Sequence, residues 1–174
     1  ILTILYSDDD GRTWDKLNEV QTADRSKGDE RLVTPRISRL GDGRIVVICD
    51  HDDFGHFHED QAAGNWTWWS HDDGETWDGP HTPNIKGFEP DRMMELPDGR
   101  LAVCSHIMFR ESQEFAEIMT TSEDGGKTWG NQVTVAHDGY HRFCEGAIVI
   151  LDGGRELACV MRENQSGGIP SFVA

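Results

Sequence analysis

The chain has 174 residues, with 16 Lys and Arg against 32 Asp and Glu, for a net charge of -16. That length suits one domain with a sizeable core, and the excess of acid argues against nucleic acid or an anionic membrane as partner. Nineteen Gly and six Trp, with no apolar run near the ~20 residues that a spanning helix needs, exclude a helical membrane span and point to a soluble, turn-rich protein.

The first element is a short apolar strand over residues 1–6. It lacks an initiator Met, a basic flank and a small-residue cleavage site, so it does not read as a signal peptide, and it predicts a chain that starts inside a larger gene product. A turn follows at Ser7-Asp8-Asp9-Asp10-Gly11-Arg12-Thr13-Trp14, which recurs at residues 70–77 and 122–129 as S-x-D-x-G-x-T-W. In each copy the Asp can accept backbone N–H bonds across the turn, Gly supplies positive φ, and Thr and Trp begin the return strand with Trp packed beneath it. A calcium loop of the EF-hand kind would need a Glu at its twelfth position and a following helix, which are missing.

A second repeat interleaves with the first. Residues 40–48, 96–103 and 151–159 each read as strand, Asp-Gly turn, strand; the third copy carries one extra residue and predicts a longer turn or a bulge. Residues 110–119 have a helical composition, but their position suits a loop that enters a strand. The order is strand, Asp-Gly turn, strand, variable loop, strand, Asp-box turn, strand, with a period of about 55 residues. Four antiparallel strands at that period make a propeller blade, so the expected fold is all-β, a β-propeller of which residues 1–174 cover about three four-stranded blades. The chain starts and ends on third strands. A fragment of a larger ring is the primary expectation, and a homodimer that closes one ring is the alternative, since open edges invite pairing.

Both repeated turns fall on one face of such blades, which leaves the variable ends on the other, where function concentrates. First-strand starts supply Arg36, Arg92 and Glu145, with Arg36 and Arg92 each four residues before the turn leucine. Second-strand ends supply Asp50, His106 and Arg162, and residues 50–60 are the longest run of titratable groups. His56, His58 and Asp60 alternate in that loop and could bind zinc or another transition metal, but the sequence specifies no further ligand for them, and no metal or other cofactor is expected. Cys49, Cys104, Cys144 and Cys159 form no C-x-x-C, and they read as buried free thiols; the compartment stays open.

The boxes, the blade period and the order of motifs resemble the sialidase (neuraminidase) superfamily over essentially the whole chain. The resemblance implies a six-bladed propeller and a retaining exo-α-sialidase. Pro35-Arg36-Ile37-Ser38 is similar to the family's Arg-Ile-Pro, with Ser38 where Pro is usual, so Arg36 would begin the triad of arginines that holds the substrate carboxylate. Asp60, before the apolar strand 66–69 and its box, matches the acid/base. Glu145, followed by strand, turn and Arg162, looks like the Glu that polarises a nucleophilic Tyr, together with the second triad Arg. The third Arg and that Tyr come from later blades in the family; Tyr6 and Tyr140 do not match its place. Asp50, Arg92 and His106 remain as additional substrate-contacting candidates.

The chemistry suits a sialoside, whose anomeric carboxylate would repel a carboxylate nucleophile but not a phenol. Glu145 would take the phenol proton, while Asp60 would protonate the leaving oxygen and then activate water. The expected partner is a sialylated glycan or another acidic sugar. Two other readings stay open: a non-catalytic Asp-box propeller that binds glycan or protein, and a hydrolase or lyase for a neutral or uronic sugar that uses Asp50, Asp60 and His106.

Overall fold

The computed structural model describes residues 1–21, 31–52, 64–164 and 172–173. These residues form four antiparallel sheets. The first pairs β1 (Leu2–Tyr6) with β2 (Asp15–Gln21); the second has the order β3 (Arg31–Arg39), β4 (Ile45–Asp52), β5 (Asn65–Ser70), β6 (Asp78–His81). The third runs from β7 (Met94–Glu95) through β8 (Leu101–Met108) and β9 (Phe115–Ser122) to β10 (Gly130–Ala136). In the last, β12 (Glu156–Glu163) lies between β11 (Phe143–Leu151) and β13 (Phe172–Val173). Consecutive strands pair in chain order, as in propeller blades. The segment 110–119 is strand from Phe115 on, because cross-strand pairing with β8 overrides its helical composition.

Central strands are buried on both faces, which explains their unbroken apolar runs. Side chains alternate along a strand. Val46 and Ile48 of β4 therefore join Trp69, Leu101, Val103 and Trp129 in one core, while Val47 and Cys49 join Leu2 and Trp68 in another. Cys104, Phe143, Ile148, Cys159 and Met161 fill a third core between the last two sheets. All four cysteines are buried and free.

The three Asp-boxes share one network. In the third, Asp124 Oδ1 accepts from the Lys127 and Thr128 N–H groups at 3.0 and 2.8 Å, its Oδ2 accepts from Thr128 Oγ1 at 2.6 Å, and Trp129 Nε1 donates to the Gly126 carbonyl at 3.1 Å. Such bonds favour the ionised form, and Asp9, Asp72 and Asp124 are each held down at about 2. The boxes also join neighbouring sheets: Asn18 Nδ2 donates to the Gly74 carbonyl at 2.7 Å, and Arg44 Nη1 to that of Gly125 at 3.0 Å. Packing of the box Trp differs from one copy to the next. Trp129 is buried, but Trp14 is 61% exposed, since nothing among the described residues covers it. The third Asp-Gly turn, with its extra residue, is a 3-10 turn at Asp152–Gly154.

Candidate active site

The ends of β4, β8 and β12 that lie away from the boxes converge on a cavity of about 400 Å³, lined among others by Arg31, Asp50, Glu89, His106, Glu145 and Arg162. Its centre is an ion pair in which Arg162 Nη1 lies 2.6 Å from Glu145 Oε1, while Arg162 Nη2 donates to Asn164 Oδ1 at 2.8 Å. Both side chains are partly exposed to the cavity. Glu145 reaches it through a bulge. Cys144 pairs with Arg162 and Ala147 with Val160, so Glu145 and Gly146 together oppose Met161, and Glu145 takes the left-handed region at φ 53°. Active sites are a common home for such strained backbone.

Glu89 is the residue that sequence reasoning missed. Burial, then the charge of Glu145 beside it, pushes its carboxyl above the ordinary value, against smaller opposing effects of Arg162 and Arg36; hydrogen bonding with Glu145 also favours the protonated form. Its backbone is left-handed at φ 50°, as are Thr34 at φ 49° and Glu145 at φ 53°. These three residues precede Pro90, Pro35 and Gly146, in corresponding positions of their sheets. Counting residues back from the turn leucine aligned Arg36 with Arg92 and concealed this match, because the second copy has one extra residue between the bulge and the leucine. An alignment on the residue before Pro or Gly would have revealed Glu89.

Asp50, at 3% exposure, supports the site from beneath: its Oδ2 accepts the Glu89 N–H at 3.2 Å. His106 is 1% exposed and makes no open surface for substrate; burial, helped by the Arg162 charge, lowers it to about 3, so it is neutral. His51 stacks on Trp66 with ring centroids 4.0 Å apart. Arg36 donates to the Pro35 carbonyl at 3.2 Å and lines a different cavity with residues 1–5, although its charge is felt at Glu89. Arg92 lines a different cavity with Ile37, Arg39, Glu95 and Val149 and does not join Glu145 and Arg162. Asp60, like His56 and His58, lies outside the described residues. Among the described residues no group of three His, Cys, Asp or Glu could hold a metal ion.

Comparison with known families fits this architecture. The profile of the BNR repeat-like domain matches residues 2–171. The chain belongs to that family. The match supports the resemblance carried by the Asp-boxes. No curated protein matches the sequence. Among solved structures, the BNR chain is similar to a protein of unknown function from Dyadobacter fermentans DSM 18053, at 20% identity and a TM-score of 0.72, over 95% of this chain and 52% of that one. It is also similar to the Hadza microbial sialidase Hz136, at 19% identity and a TM-score of 0.70, over 99% of this chain and 37% of that one. The alpha-L-arabinanase of Penicillium chrysogenum, solved with arabinobiose, follows at 19% identity and a TM-score of 0.57, over 76% of this chain and 41% of that one. The BNR chain thus spans about half, or less, of the length of these structures.

Proposed function

We propose that the BNR chain is part of a glycoside hydrolase, and that its activity is exo-α-sialidase, the retaining release of terminal sialic acid. The observation that carries this reading is the Glu145–Arg162 contact of 2.6 Å in the cavity, which joins a carboxylate able to accept a proton to a guanidinium able to bind a carboxylate. In the reaction Glu145 accepts the proton of a Tyr nucleophile as the phenolate attacks the anomeric carbon. Asp60 donates a proton to the departing oxygen, then takes one from the water that releases the sugar. Arg162 and Arg36 hold the substrate carboxylate with a third Arg. That Arg and the Tyr belong, in this reading, to further blades of a six-bladed ring.

A second reading is favoured by the charge of the cavity. Asp50, Glu89 and Glu145 face Arg31 and Arg162, and burial together with the Glu145 charge raises the Glu89 carboxyl, the direction that suits the general acid of a glycosidase for neutral sugars. Glu89 would then be the general acid, and the carboxylate on the other side of the scissile bond would come from another residue, because Glu89 and Glu145 are hydrogen-bonded to each other, closer than the ~5 Å or more that such a pair keeps. The complete gene product should be assayed in parallel with 4-methylumbelliferyl α-sialoside and 4-methylumbelliferyl α-L-arabinofuranoside. Release from the sialoside supports the first reading, release from the furanoside alone selects the second, and release from neither by a folded protein refutes both.

A further inference from the structure

One buried acid has no part in either reaction. Glu117 sits on β9 opposite His106 of β8, and it has no exposed surface. Both its carboxyl oxygens lack a well-formed hydrogen bond, although the Gly146 N–H is near enough to favour the ionised form. An unpaired carboxyl in a core is costly, so its retention calls for a reason.

The reason lies in what the pair touches. The β11 strand packs across β8 and β9, and its bulge leaves the N–H groups of Glu145 and Gly146 out of the regular ladder. His106 Nδ1 accepts the Glu145 N–H at 3.3 Å, so the ring proton is on Nε2, which faces Glu89 Oε2 at 3.5 Å. The ring is held by Phe88, 4.0 Å away, and by Phe115 at 5.5 Å. Glu117 lies directly under Gly146: a Cβ there would stand 2.5 Å from both Cδ and Oε1 of Glu117. Any side chain at the second bulge position would force this carboxyl to shift.

We infer that His106 and Glu117 are positioning residues, a platform across two adjacent strands that seats the 145–146 bulge and thereby sets Glu145 against Arg162. The inference rests on the reading that Glu145 belongs to the active site. His106 adds a link to Glu89, so a single imidazole spaces the two cavity glutamates.

The test uses the complete gene product and whichever of the two glycosides it cleaves. Glu117→Ala should lower kcat roughly 10-fold to 100-fold with KM within about 2-fold, since a misplaced reacting group costs turnover more than binding. Glu117→Gln, which keeps the shape, should recover most of that loss. Gly146→Ala should also lose kcat, and the double variant Gly146→Ala/Glu117→Ala should exceed Gly146→Ala alone, because the smaller side chain admits the new Cβ. Hydrogen exchange at the 145 and 146 amides gives a readout independent of turnover, and should quicken in Glu117→Ala but not in Glu117→Gln. Should Glu117→Ala fail to fold, Glu117→Asp takes its place, with the same directions expected. Parental kcat and parental amide protection in a folded Glu117→Ala or Glu117→Asp would overturn the inference. Glu145→Gln, measured alongside, separates the two levels: if it keeps parental activity the active-site reading fails, and amide exchange alone then decides the platform.

Discussion

Replacing Glu117 by Gln should change the way stability depends on pH. Burial, with smaller contributions from Cys159, Asp91 and Glu145, pushes the Glu117 carboxyl from its ordinary value near 4.5 up to about 9. Below pH 4.5 it is protonated folded and unfolded alike, and its contribution is fully present. Between the two values the unfolded chain ionises freely while the folded chain must stay protonated, so stability falls as pH rises, and the loss is complete only above the folded value. At 1.36 kcal/mol for each pH unit, the loss reaches about 3 kcal/mol by pH 7 and about 6 kcal/mol by pH 9. An amide in its place does not titrate, so the stability of Glu117→Gln relative to the parent should climb with pH by about 1.4 kcal/mol per unit across this window, whatever its constant offset. Urea unfolding of both proteins at pH 5, 6, 7 and 8 measures this. Parallel stability curves would refute the claim that Glu117 is buried in its protonated form.

Glu145→Ala and Arg162→Ala should each reduce kcat/KM of the complete gene product roughly 10²-fold or more, and near-parental turnover in either would remove that residue from the site. Asp124→Ala should lower the urea midpoint and flatten the acid limb of the unfolding profile, because the box aspartates, held at about 2 in the fold, contribute stability that is present above their unfolded value and lost as pH falls toward 2. Gly126→Ala should destabilise by about 1–3 kcal/mol in the same assay, since its φ is +96° and the added Cβ would meet Trp69 at 2.8 Å. Thiol titration should find Cys49 and Cys144 unreactive until the chain unfolds, both being buried with their thiols pushed up to about 12.

The legible part of this chain is the part governed by local rules. An Asp-box closes its hydrogen bonds within eight residues, and an Asp-Gly turn within five, so both were readable from spacing, as were the double-sided apolar strands that the turns connect. Their order also showed that Asp50, His106, Glu145 and Arg162 end on one face. Side-chain roles were not readable in the same way, because they depend on packing between sheets. His106 looked like a substrate contact, but Phe88 and Phe115 bury it; Arg92 shares the spacing of Arg36, yet an extra residue before the turn puts it in another cavity. Glu89 and Glu117 drew no notice at all, one because its bulge was hidden by that same extra residue and the other because it sits in a segment of helical composition. Sequence alone determined the strands, the turns and the face on which the candidate residues gather, since those follow from interactions between near neighbours in the chain. Only the tertiary structure decided which carboxyls meet across β8, β9 and β11, because burial and charge are set by residues far apart in sequence that come together when the sheets pack.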